Sequence, residues 1–206
     1  MSDPAPAPAI PLRTVDGCSL DAALRRVLRP GELLVDRDGR SRLLPRFFYE
    51  VDSWQTARET YLSPHFALWE FISVDVREAE AQRGFPRYVP CAVALLAAHL
   101  EVFRERVKTY VRIAANGGYR TPAHALSTHA STHCWATAAN VYRIGDEYLD
   151  DRETIERFGA IAAKALPALW ARPYGHTVGL ADDHLHLDIG YVTLVPRDAP
   201  GEDDGC

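Results

Sequence analysis

The amino-acid sequence predicts an α+β fold: a small antiparallel sheet with flanking helices. Three observations predict it. Residues 185–189, Leu-His-Leu-Asp-Ile, alternate apolar and polar side chains, the period of a half-buried strand. Residues after Pro90 and residues 151–166 instead repeat apolar side chains at helical spacing. Asp38-Gly39 lies between two apolar runs, the signal of a tight antiparallel hairpin.

The elements follow in order. Residues 1–12 are rich in Pro and Ala and are expected to form a disordered tail. Residues 13–60 read as an N-terminal extension of helix plus hairpin. Its helix starts with Ser19 as cap and stops at Pro30-Gly31. Its hairpin joins 32–35 to 43–51, and the aromatic run Phe47-Phe48-Tyr49 is assigned to packing. Residues 61–195 read as the main domain. There, 62–72 form a loop entering a short apolar element. A helix opens at Pro90 with Leu95, Leu96, His99, Leu100 and Phe103 on one face. Strands are expected at 108–114 and 138–144. A helix at 151–166 turns Ile155, Phe158, Ile161, Ala162 and Leu166 inward. Residues 196–206 read as a solvated tail.

The chain has 206 residues, 47% of them hydrophobic, enough for one sizeable core. Its net charge of −5 comes with no basic stripe, so no nucleic-acid partner is expected. No basic segment leads into an apolar run at the start, and no apolar stretch approaches a membrane span. The expectation is a cytoplasmic protein with no membrane partner. Cys18, Cys91, Cys134 and Cys206 are scattered without a C-x-x-C pair and are expected to be free thiols.

Five of the eight histidines fall in two clusters. His124, His129 and His133 share a loop, and His184 and His186 share a strand. Neutral imidazole is the commonest nitrogen ligand for zinc. Residues two apart on a strand face the same way, so His184 and His186 look into one space.

Gly118-Tyr119-Arg120-Thr121-Pro122 resembles the G-Y-R-[ST]-P loop of zinc D-Ala-D-Ala carboxypeptidases and hedgehog-type metallopeptidases. Ser131-Thr-His133-Cys-Trp-Ala136-Thr-Ala138-Ala-Asn140 is similar to their S-x-H-x-x-G-x-A-x-D motif. His184-Leu-His186-Leu-Asp188 follows where an H-x-H or H-x-D strand is expected. The resemblance covers roughly residues 62–192, and the three motifs together are more specific than any one. It implies a hedgehog/D-Ala-D-Ala peptidase-like fold and a metal held by His133, His186 and the Asn140 position. It also implies Asp183 and His184 as catalytic groups. Arg120, Ser131 and Tyr119 would bind substrate, with Arg120 gripping a terminal carboxylate.

Two departures stand out. Ala136 replaces Gly, and Asn140 replaces the Asp ligand with a neutral amide, a poorer donor for zinc. Either the metal recruits His129, Cys134 or His184 instead, or it is iron or copper rather than zinc, or the site serves another purpose. The leading expectation is a metal-dependent hydrolase acting on an amide in a small peptide-like substrate or biosynthetic intermediate. The alternatives are a metal-dependent biosynthetic enzyme (cyclase, lyase or oxygen-using) on the same scaffold, and a non-catalytic metal- or ligand-binding domain.

Overall fold

Phe47, Phe48, Tyr49 and Glu50 are buried at all four positions, as a strand covered on both faces must be. The computed structural model, which describes residues 10–127, 129–176 and 182–201, makes them β4 (Phe47–Glu50). This strand is the centre of a three-stranded antiparallel sheet. β1 (Arg13–Asp16) pairs on one side and β7 (Tyr88–Pro90) on the other. The expected hairpin is therefore shorter than its sequence signal. β2 (Leu33–Val35) pairs only with β3 (Ser41–Leu43), and the aromatic run leaves for a different sheet. α1 (Ala22–Leu28) is capped by Asp21, whose side chain accepts from the Ala23 and Leu24 N–H groups. Ser19 instead closes a single 3-10 turn at Gly17–Ser19.

α2 (Trp54–Glu59) leads into a small hairpin of β5 (Tyr61–Ser63) and β6 (Phe66–Ala67). A 3-10 turn at Leu68–Phe71 and α3 (Glu80–Arg83) then precede β7. α4 (Val93–Val107) buries Val93, Leu96, Ala97, Leu100, Glu101 and Phe103, while Leu95 and His99 sit at its margin. Lys108 ends it in the left-handed conformation, so β8 is only Val111–Ile113.

The second sheet carries Asn140 and His186. β9 (Ala138–Ile144) is its longest strand, flanked by β8, β10 (Glu147–Tyr148) and β12 (Leu185–Asp188). β11 (Trp170–Ala171) pairs with the far side of β12. Every pairing is antiparallel. α5 (Arg152–Ala165), capped by Asp151, contacts β11, β12 and α4. Ala139, Val141, Leu185 and Leu187 are buried in the main core, so the residues between them face the other way.

This main core runs from Leu12 to Leu187, and residues of the expected N-terminal extension belong to it. The 13–60 segment shares its sheet with β7 rather than forming a separate body. Leu12 is buried and Ala199 packs against the core, so ordered structure extends beyond both expected tail boundaries. The disorder expected for 1–9 and the solvated tail at 202–206 lie outside the described residues. Cys91 and Cys134 are free and buried, but Cys18 is disulfide-bonded, which corrects the expectation of free thiols throughout. No described helix is long and apolar enough to cross a membrane.

Candidate functional site

Strand register builds the first half of the site. In the β9–β12 ladder His186 lies directly opposite Asn140. Both belong to the face turned away from the core. The His186 Nδ1 atom is 2.9 Å from the Asn140 side-chain oxygen, and Nε2 is 3.0 Å from the Asp188 carboxylate. Asp188 points to the same side as His186, two residues along the strand. Its other oxygen accepts from the Gly190 N–H, which fixes the carboxylate.

A 3-10 turn at Thr132–Trp135 delivers the second histidine. His133 is buried, and its Nδ1–H donates to the Gly118 carbonyl at 2.7 Å. That bond leaves a lone pair on Nε2. The rings of His133 and His186 meet edge to face with centroids 5.1 Å apart. Ala136 closes the turn with φ +56°, donating its N–H to the His133 carbonyl. A left-handed alanine costs roughly 1–2 kcal/mol, so the Gly-to-Ala departure falls where glycine's freedom matters.

The loop before this turn is held by contacts that only glycine allows. A side chain on Gly118 would lie 2.2 Å from the Phe71 carbonyl oxygen, and Tyr119 donates its N–H to that same oxygen. Glu78 anchors the far end. It is buried and accepts from the Thr121 hydroxyl at 2.5 Å, the Thr121 N–H at 3.1 Å and the Ala79 N–H at 2.7 Å. Between these anchors lies Arg120, 8% exposed, with no side-chain hydrogen bond or ion pair among the described residues. Burial pulls its pKa down to about 10, so it stays cationic at neutral pH.

Burial also sets the histidines. It pushes His133 well below its ordinary value, with the Arg120 charge adding to the effect. His186 is lowered by burial against the opposing pull of Asp188. His184 is likewise lowered by burial, opposed by its 2.6 Å contact with Asp183. All three imidazoles are therefore neutral near pH 7, each with one N–H. On His186 that N–H goes to Asp188. Its Nδ1 lone pair faces the Asn140 Oδ1 at 2.9 Å, and two acceptors are compatible there only if the amide turns over to present its NH2 or both give lone pairs to a cation. A carboxylate at position 140 would lack the first option.

Most of the other expected site residues do not join the histidine pair directly. His184 lies just before β12 with Nε2 3.4 Å from the Arg172 guanidinium. Asp183 is largely exposed and touches His184 rather than the histidine pair. Ser131 caps the His133 turn without a side-chain bond to it. Tyr119 belongs to the main core with its hydroxyl unpaired, which corrects its expected place against substrate. Cys134 packs in a second apolar cluster with Leu44, Ala130 and Trp135, away from a ligand position. His129 is exposed, and His124 is a buried structural residue bonded to Asn116 and the Leu126 N–H. Sequence reasoning missed Glu78, Trp170 and Arg172. Trp170 stacks edge-on to His186 at 6.0 Å. Its pairing with Asp188 across β11 and β12 has no local signature.

The donor set fits a transition metal at two positions. His133 and His186 each have one ring nitrogen fixed by an oxygen acceptor, the arrangement that orients metal-binding imidazoles. At the third position Asn140 offers only an amide oxygen. Among the described residues no group of three or more His, Cys, Asp or Glu side chains lies together as a metal site. No family model matches the chain, and no curated protein or solved structure matches it either.

Proposed function

We propose that the chain is a metal-dependent hydrolase of the D-Ala-D-Ala carboxypeptidase type, on a hedgehog/D-Ala-D-Ala peptidase-like fold. Its substrate would be a small peptide-like molecule ending in a free carboxylate. One observation carries the reading: His133, His186 and the Asn140 amide converge beside a buried, unpaired Arg120. His133 Nε2, His186 Nδ1 and the Asn140 amide oxygen would hold zinc, or iron or copper in its place. When bound, such a metal acidifies water and polarises a carbonyl.

The chain's own groups supply the rest. Arg120 offers a desolvated guanidinium, which binds a carboxylate by two parallel hydrogen bonds and fixes which amide is presented. Asp183 accepts the Nδ1–H of His184 and so leaves Nε2, 3.4 Å from the Arg172 guanidinium, as the nitrogen that would take a proton. In this scheme His184 moves the proton and Asp183 is its positioning residue. Asp188 and the Gly118 carbonyl keep the two ligating rings in their tautomers.

A second reading, a ligand-binding domain without metal, is favoured by one feature. Asn140 and Asp188 together can satisfy both nitrogens of His186 without a cation. Elemental analysis of chain purified without added metal and then loaded with zinc separates the two. The hydrolase reading expects about one zinc per chain, reduced at least tenfold in both His133→Ala and His186→Ala at unchanged circular dichroism. It also expects release of the terminal residue from a peptide ending in D-alanyl-D-alanine. Full zinc content in both variants would remove the ligand assignment. A wild-type chain that takes up no zinc, iron or copper leaves the second reading.

A further inference from the structure

Four aromatic rings touch in succession from the His133 turn to the edge of the second sheet. His133 meets His186 with centroids 5.1 Å apart, His186 meets Trp170 at 6.0 Å, and Trp170 meets His176 at 5.7 Å. All three contacts are edge to face. Strand register produces the middle one. Trp170 lies opposite Asp188 in the β11–β12 ladder, and the Arg172 N–H donates to the His186 carbonyl at 2.9 Å. Directly opposed residues present their side chains on one side of a sheet, so Trp170 and Arg172 share the face of His186 and Asp188. β11 is the edge strand, and among the described residues no strand lies beyond it.

Trp170 is 45% exposed, while the His186 side chain that it touches is only 12% exposed. A single exposed aromatic is ordinary on a protein surface. This one is distinguished by where it stands, with one edge on His186 and the rest of the indole open to solvent. The charged groups of the region are engaged. Asp188 accepts from His186 and the Gly190 N–H, Asp183 touches His184, and Asp182 accepts from the Gly175 N–H. Arg172 carries its guanidinium on the same face, 3.4 Å from His184 Nε2. The open indole surface is therefore matched best by an uncharged apolar group.

We propose that Trp170, with His176 at its side, forms the wall of a subsite for a bulky apolar or aromatic side chain next to the attacked amide. Trp170 is then a specificity-determining residue: it touches the substrate and moves no proton. The proposal rests on the reading of His133 and His186 as the centre of a peptide hydrolase. Covering the indole with a phenyl ring removes apolar surface from water on both partners and adds a ring–ring contact. A small side chain at the same place leaves the indole wet and gains neither.

Calorimetric titration of the full chain with three peptides tests this. Each ends in D-alanyl-D-alanine, preceded by acetyl-Phe, acetyl-Ala or acetyl-Lys. The wild type is expected to bind the Phe peptide about three- to tenfold more tightly than the Ala peptide, with a preference that does not shrink as salt rises. Trp170→Ala should equalise the two, and Trp170→Phe should keep most of the preference. Trp69→Ala removes an indole of similar exposure outside this row of rings and should leave the preference intact. If Trp170→Ala still prefers the Phe peptide, or Trp69→Ala loses the preference as well, Trp170 is not the wall. The zinc content of the two histidine variants then still decides the hydrolase reading by itself. Tightest binding of the Lys peptide overturns the apolar assignment. A wild type that holds no metal yet shows the Trp170-dependent preference removes the hydrolase reading and keeps the subsite. A wild type that binds none of the three peptides overturns the proposal.

Discussion

Asn140→Asp changes one atom group at the centre of the site and probes the ligand geometry directly. The side chain at position 140 lies 2.9 Å from His186 Nδ1. The substitution replaces a neutral amide with a carboxylate without changing its length. A unit charge about 4 Å from another contributes about 4 kcal/mol at the effective dielectric of a partly buried site. Desolvating the new carboxylate offsets about half of that. The remaining ~2 kcal/mol corresponds to about 30-fold tighter binding of a divalent cation. Without metal the same carboxylate faces a ring nitrogen with no proton to offer. The His186 pKa must then rise from its burial-lowered value, because an adjacent negative charge favours the imidazolium. Competition with a zinc chelator measures the first effect, and histidine titration followed by NMR measures the second. Zinc affinity within twofold of wild type, together with an unmoved His186 titration, would refute the placement of residue 140 against His186 Nδ1.

Two further outcomes follow from the same geometry. Gly118→Ala puts a methyl group 2.2 Å from the Phe71 carbonyl oxygen, which is backbone and cannot swing aside. The expected loss is about 3 kcal/mol in urea denaturation, and a loss below about 0.5 kcal/mol would mean that the loop does not pack there. Stability should also fall in acid. Burial holds His133 and His186 below the ordinary histidine value of 6.5, so between their folded values and 6.5 the unfolded chain binds more protons. Their contribution is complete above about pH 6.5 and is lost as pH falls through that window, at up to about 1.4 kcal/mol per pH unit for each ring. Thermal melting from about pH 8 to pH 5 should show the decline, with a weaker slope in His133→Gln. A melting temperature independent of pH over that range counts against neutral, buried rings.

What the sequence determined by itself was local. The apolar spacing from Ile155 to Leu166 placed α5 within a residue of its ends, because that signal acts within a few turns of one helix. Alternation placed β12, and β9 matched its expected span, because strand sidedness is written in every second residue. The pairing of His133 with His186 was legible from motif order, and the left-handed position of Ala136 marks a departure the sequence also displayed. Only the tertiary structure decided what lies across from what. The register that sets Asn140 opposite His186 depends on how two strands 46 residues apart slide past each other. The aromatic run at 47–49 read as part of a hairpin, yet β4 pairs with β7 about forty residues later because its side chains need burial on both faces. Tyr119 follows Gly118 into the core because the loop backbone presses against Phe71, so a motif position became packing. Glu78 gave no sign at all, since a carboxylate becomes an anchor only when folding brings Thr121 to it and removes water. The two histidines could be found one segment at a time, whereas the groups that orient them come from separate parts of the chain and exist only once the sheet has closed.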